Sequence, residues 1–389
     1  ENSKLNFFAV GAFRNGNSYR EGVNQGAPNL GTALPNSEFD YQKYSYTTAT
    51  TLMGNIGLRL GNANDIKYNF LLLNNSEQKH EEFNGILDRE DDAPNGGGFI
   101  QRNTFERTTL IVNQLLGNHD VTDRFEVNWG VGYNTVANLI PNRRQNILLP
   151  YTNNDPEGPK SFRLVSAASA NHRFFQELNE DEIAANLSTT FKFKKNDEDQ
   201  FDGKFTIGYN GRFKNVDFEA TQFNYQILNV ANQPFVDPYN IDAYFDEYGP
   251  GSGFWQIRTF RGTASTQGSL DPQTYGGEQQ INAGFATLEY KFTPKFTLFA
   301  GARAEQINQT IEWSTVIQGD DSNELDTFEF LPSLALKYEL NEKQNLRFAA
   351  SKTYTLPQFK ERAPFLFQEE INQDTQGNPA LENSTNYNV

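Results

Sequence analysis

The sequence predicts an all-β fold, the wall of a transmembrane antiparallel β-barrel, on three observations: residue usage, long apolar/polar alternation, and connections that alternate between short and long. The 389 residues include 33 Phe, 17 Tyr and 30 Gly. Strand formers and Asn/Gly turn formers dominate, and the Leu/Ala/Glu/Lys periods that mark helices are missing. No stretch approaches the roughly 18 to 20 consecutive apolar residues of a membrane-spanning helix, and the mean hydropathy is −0.67. That excludes helical spanning only. A barrel strand crosses with about 9–11 residues of which alternate ones face lipid, so its average hydropathy matches that of a soluble protein.

In chain order, the first clear alternation runs over 125–135. Phe125, Val127, Trp129, Val131 and Tyr133 occupy one phase; Glu126, Asn128, Gly130, Gly132 and Asn134 occupy the other. It returns over 183–193, with Ile183, Ala185, Leu187, Thr189, Phe191 and Phe193 against Asn186, Ser188, Thr190 and Lys192. Over 201–213, Phe201, Phe205, Ile207, Tyr209 and Phe213 oppose Asp202, Lys204, Thr206, Gly208, Asn210 and Arg212. Finally, Phe328, Phe330, Leu334, Leu336, Tyr338 and Leu340 face away from Glu329, Ser333, Lys337 and Glu339. Sandwich strands are typically about five or six residues. These runs are about twice that, which suits a tilted membrane crossing, and their polar phase is charged, as a wet lumen requires.

Short connections carry turn chemistry at Gly61-Asn62-Ala63-Asn64-Asp65, Gly117-Asn118-His119-Asp120, Asn196-Asp197-Glu198-Asp199, Thr293-Pro294-Lys295 and Asn341-Glu342-Lys343. Between them lie long polar segments, roughly 14–46, 80–103, 138–180, 218–280, 314–326 and 357–384. Tight periplasmic turns alternating with long extracellular loops are the habit of outer-membrane barrels. The runs amount to about eleven strands over residues 1–389, with a twelfth starting near Asn386. Because single-chain bacterial barrels close with even strand numbers, further strands or another chain are expected beyond Val389. Glu1-Asn2-Ser3-Lys4 carries no signal-peptide core, so the chain reads as mature or as a fragment.

The run from Phe328 to Phe348, with Ser351-Lys352-Thr353, Pro357-Gln358-Phe359 and Glu361-Arg362-Ala363-Pro364-Phe365 after it, resembles the signature hairpin and "SKT…RPSF…ELAPF" loop of TonB-dependent receptor barrels from Bacteroidetes-type bacteria. Gly377-Asn378-Pro379-Ala380-Leu381 resembles that family's "GNPxL" motif, and Pro141-Asn142-Arg143-Arg144 is similar to its "PDRR" loop start. The chain departs where Leu356 replaces the usual Arg and Glu382-Asn383 the usual Lys-Pro. The resemblance implies a 22-stranded barrel, of which residues 1–389 form roughly the first half. It further implies an N-terminal plug domain before Glu1, about ten more strands after Val389, and import energised by the TonB complex through the plug.

Charge and motifs narrow the chemistry. Absence of cysteine removes disulfide frameworks, thiolate zinc clusters and thiol nucleophiles. The net charge of −16 repels phosphate backbones, so nucleic acid is not an expected partner. Asp88-Arg89-Glu90-Asp91-Asp92 before Asn95-Gly96-Gly97-Gly98 could cage calcium, but it lacks EF-hand spacing and reads first as a solvated loop. Asp237 and Asp320-Asp321 point to calcium more weakly still, and no cofactor is expected. His80, His119 and His172 sit apart without metal spacing. Gly96-Gly97-Gly98 and Gly249-Pro250-Gly251-Ser252-Gly253 lack the following Lys-Ser/Thr of a phosphate loop. No nucleophile elbow appears, and no enzyme activity is expected.

The segment 218–280 is the ligand-loop candidate, with Tyr239, Tyr244, Trp255, Arg258 and Arg261 as its candidate residues beside Phe245, Tyr248 and Phe254. Aromatic and Arg clusters on scaffolded loops often bind ligands, although such rings more often pack the loop against itself. Arg303, Arg347 and Lys352, on polar phases, are expected to line the lumen or meet the plug. Two functions follow: an outer-membrane receptor/transporter importing a scarce or bulky ligand, or a receptor-like barrel serving as a structural or assembly subunit of an envelope complex. The expected surroundings are outer-membrane lipid in a Gram-negative cell, with a surface lipoprotein or other envelope subunits as candidate partners. A passive porin is the weaker third reading.

Overall fold

The structure, a computed structural model, describes residues 4–163, 170–196, 200–228, 235–247, 253–341, 343–371 and 373–389. In chain order the elements are β1 (Lys4–Gln25), β2 (Glu38–Leu60), β3 (Asn64–Ile86), β4 (Gly98–Asp120), β5 (Phe125–Pro150), β6 (Lys160–Phe162), β7 (His172–Lys195) and β8 (Phe201–Ile227). The short helix α1 (Asp242–Glu247) precedes β9 (Trp255–Thr259), β10 (Gly262–Thr263), β11 (Gln273–Thr293), β12 (Phe296–Thr315), β13 (Gly319–Asn341) and β14 (Gln344–Thr355). One further turn of helix, α2 (Phe359–Arg362), leads to β15 (Leu366–Glu370), β16 (Gln373–Gln376) and β17 (Ser384–Asn388).

One antiparallel sheet runs β1-β2-β3-β4-β5-β7-β8-β11-β12-β13-β14-β17, each long strand pairing with the next. Short β6 lies beside β5, β9 beside β8 and β10 beside β9, while β15 and β16 form a separate hairpin. Register is fixed by the alternation, since a one-residue slip would turn every apolar side chain to the wrong face. Directly opposed residues form one outward row from Phe7 through Ile56, Tyr68, Leu115 and Val131 to Ala185. A parallel row joins Trp129, Leu187 and Tyr209. This face is apolar and bare: Ile207 is 52% exposed and Leu187 53%.

The opposite face is polar and internally paired. Lys192 meets Glu126 at 3.2 Å, Arg212 meets Glu182 at 2.6 Å, and Lys214 meets Glu180 at 2.6 Å. Residues from β3 through β14 line one cavity on this side, so the sheet curls around it. The all-β fold with a lipid-type outer face and a wet inner face is therefore present in the structure.

Strand lengths depart from the sequence reading. β1, β2, β3, β4, β5 and β7 have 22, 23, 23, 23, 26 and 24 residues, so much of the polar segments 14–46, 80–103 and 138–180 is strand rather than loop, and β8 runs on to Ile227 within 218–280. The ladder continues into water because each backbone group there is still paired, and polar side chains on both faces erase the alternation that marks a strand. Residues 314–326 form no long loop: three residues, 316–318, join β12 to β13. Pro141, Asn142, Arg143 and Arg144 lie within β5 rather than at a loop start, where the register shifts between Ile140 and Arg143. Proline cannot donate to the ladder, and a bulge is where a strand tolerates it. Asp197–Asp199 and Glu342, placed in turns by sequence, and Tyr248 and residues 249–252 fall outside the described residues.

Candidate functional site

Above the row of Phe213, the apolar phase of β8 changes sides. Val216, Phe218 and Ala220 turn inward and are buried with Phe174, Tyr275, Ile311 and Trp313. The segment after β14 folds onto them, contributing Phe359, Ala363, Phe365 and Phe367 to the same cluster. Phe218 stacks on Tyr275 at 4.3 Å and meets Phe365 edge-on at 5.1 Å. Such pairs add about 0.5–1.5 kcal/mol to area burial.

Local chemistry shapes this inward segment. The Gln358 backbone N–H donates to Glu361 Oε2 at 2.8 Å, which starts α2. Its first residue, Phe359, lies flat against Gly277: a Cβ there would fall 2.2 Å from the Thr310 carbonyl oxygen and 2.5 Å from Phe359 Cε1. Only glycine admits that approach. Arg362 is fully buried; it donates to the Gln309 side-chain oxygen at 2.7 Å, to the Gln309 carbonyl at 3.2 Å and to the Pro379 carbonyl at 3.4 Å, with Asn323 as a further partner. Burial pushes its guanidinium down from the ordinary arginine value. An arginine nevertheless stays charged at any physiological pH. The Glu361–Phe365 and Gly377–Leu381 motifs thus share one role, the second closing over the buried cation of the first.

Beneath the segment lies a cavity of about 1000 Å³. Its sheet wall carries Lys79, Arg102, Arg143, Arg212 and Lys214 with Glu81, Glu106 and Glu180, and its roof carries Gln358, Phe359 and Lys360. Arg143 ties wall to roof: it donates to the Gln368 carbonyl at 2.8 Å and lies 4.3 Å over the Phe174 ring. Among the described residues no three His, Asp or Glu side chains converge as a metal site. The groups present can hydrogen-bond and hold charge.

The sequence candidates lie elsewhere. Trp255 is buried with Phe99, Leu148, Phe162 and Phe254, and Tyr244 packs against that cluster. Tyr244 donates to the Phe235 carbonyl at 2.7 Å. Tyr239 stands 77% exposed, its ring edge-on to Phe99. Arg258 sits in β9 opposite Asn224, and Arg261 donates to Ser314 at 3.1 Å. Tyr244 and Trp255 are brought together at one cluster, which Tyr239 meets at its edge through Phe99, while Arg258 and Arg261 are tied to β8 and β12. In the acidic loop, Asp92 pairs with Arg163 at 2.6 Å and Glu90 accepts from Asn29 at 2.6 Å. On the inner face Arg303 bonds Glu305 and Asn210, and Lys352 reaches Glu329 at 2.9 Å, while Arg347 lies opposite Lys337. His119 bonds Asn64 and Trp129, and His80 bonds Asn103 and Glu82.

A sheet of long strands, bare and apolar outside, wet and charge-paired inside, defines the class of outer-membrane β-barrel proteins. Residues 258–389 match the outer membrane protein beta-barrel family. That stretch is continuous with the rest of the sheet, and the protein's place is the outer membrane of a Gram-negative bacterium. No curated protein matches the chain. Among solved structures it is similar to the closed form of the ferric-catecholate import receptor Fiu from K12 E. coli, at 13% identity and a TM-score of 0.46, over 90% of this chain and 50% of that one. It is also similar to the siderophore receptor PiuA from Acinetobacter baumannii (10%, TM-score 0.37, 82% and 48%). For the unliganded ferric citrate transporter FecA the values are 12% and 0.38, over 87% and 44%. The chain spans about half the length of each.

Proposed function

We propose that the chain is barrel wall of a TonB-dependent receptor of the Bacteroidetes type, importing a scarce or bulky ligand, with the long connections outside the cell and no enzyme activity. The observation that carries this reading is the motif segment after β14, folded inward and anchored by Arg362 over a charged cavity. A passive pore gains nothing from an aromatic roof over its lumen, whereas a receptor needs a shaped, polar recess near its mouth. The motifs that resemble the receptor family are the same ones that build this roof. The test uses the full-length protein in cells whose growth is limited by candidate ligands, siderophores, vitamins, oligosaccharides and peptides in turn. Uptake of one ligand should disappear when either this gene or TonB is deleted. Uptake that survives loss of TonB would sink the reading.

A further inference from the structure

Above the exposed pair Phe328 and Phe330, β13 is held on one side only. Its ladder with β12 runs unbroken to Gly319, opposite Thr315, whereas its ladder with β14 ends at Ser333, opposite Ser351. Pro332 stands at that end, and proline, with no N–H to give, is a residue of free edges and bulges. The chain leaving β14 turns inward to bury Phe359, and β17 returns at Ser384, opposite Thr355, running antiparallel to β14. The roof so formed reaches β13 from the lumen side, through Arg362 to Asn323 and through Asn383 to Glu329. Among the described residues, no backbone hydrogen bond joins 319–327 to any strand but β12. Along an antiparallel edge every second residue turns both its N–H and its C=O away from the sheet, so about 30 Å of ladder stands open to one more strand.

We infer that this edge takes up an extended segment of a second protein by β-strand addition, a segment with Lys or Arg at alternate positions. The open backbone specifies a strand, since its donors and acceptors are met in register only by another extended chain. The side chains specify its charge. On the outward phase of the edge stand Asp320, Ser322, Glu324 and Asp326, opposite Ser314, Glu312, Thr310 and Asn308 of β12. Among the described residues none of the three carboxylates on β13 enters an ion pair; Glu324 accepts from Asn308 at 2.8 Å, and Asp326 accepts from Gln306. Such an edge repels a second copy of itself, which guards the protein against pairing with its own kind. Cations at the same two-residue spacing on an added strand would instead form favourable cross-strand pairs. Only the side of the membrane rests on the proposed reading: with the long connections outside, a surface partner can reach the edge.

The test uses the full-length protein in detergent and a fluorescent peptide that alternates Lys with Thr and Val. The peptide should bind, read by anisotropy, and should slow amide exchange across 319–327 while the rest of the barrel is unchanged. Two versions N-methylated on alternate sets of residues separate backbone pairing from charge. One lacks the donors turned to β13 and should fail to bind, whereas the other should bind as before. Glu324→Lys with Asp326→Lys should weaken the Lys peptide about tenfold, and a peptide with Glu in place of Lys should then bind in its stead. No protection at 319–327, equal behaviour of the two N-methylated peptides, or amides already protected without peptide by a later segment of the same chain would overturn the inference. Gln267→Cys, in the exposed connection between β10 and β11, should react with an impermeant maleimide on intact cells. Absence of labelling there faults the orientation, whereas labelling without peptide binding faults the edge alone.

Discussion

At Arg362 a charged group and its amide partner are both sealed from water, so neither can be removed without stranding the other. Arg362→Met keeps the volume but leaves Gln309, itself fully buried, with an unmet acceptor. Losing hydrogen bonds to a charged group costs about 1.5–3 kcal/mol. Amide exchange across 357–367 should therefore accelerate roughly 10- to 100-fold, while the strands stay protected. Unchanged exchange would mean the anchor is idle. Trp255 and Tyr239 make a second contrast. Truncating the buried Trp255 to Ala should destabilise the packed loop by about 3–5 kcal/mol, read as faster proteolysis there. The same change at the exposed Tyr239 should stay within about 0.5 kcal/mol. Both residues look alike in a sequence, because burial depends on Phe99, Leu148 and Phe162 arriving from distant strands.

Single strands test the two faces directly. Leu187 points to lipid and its neighbour Ser188 to the lumen, so Leu187→Arg near the midplane should cost roughly 2–4 kcal/mol and Ser188→Arg far less. Folding yields into vesicles should separate the two. Spin labels at Cys substitutions of 205, 207 and 209 should be open to oxygen, and those at 208 and 210 to a polar relaxer; equal profiles would refute the crossing. This facing was legible because lipid and water impose opposite demands on alternate residues over 125–135, 183–193, 201–213 and 328–340. Where both faces carry polar side chains, as in the upper part of β1, the demand disappears and strand reads as loop. The inward aromatic cluster was hidden for a different reason: Val216, Phe218 and Ala220 alternate in the opposite phase to Phe205, Ile207 and Tyr209. The roof was partly legible, since its Glu361–Phe365 motif stood out, but Gly277 and Gln309 could be recognised only by what packs on them.

For the molecule as a whole, the outward rows from Phe7 to Phe330 leave an apolar surface far larger than soluble proteins expose. The full-length protein should be extracted from outer-membrane fractions only with detergent, and a folded monomer in detergent-free buffer would defeat that. Protease added to intact cells should cut within 228–272 and spare 121–124; the reverse would invert the topology. The length of the strands has a further consequence. β8 continues 14 residues past Phe213, which at a tilt of about 40° lifts its upper end roughly 35 Å above the band. Ionic screening acts over about 8 Å in physiological salt, so the barrel's mouth lies several screening lengths from the bilayer. An ion or molecule arriving there responds to the charges of the rim itself, and the composition of the surrounding leaflet has almost no say in the potential it meets.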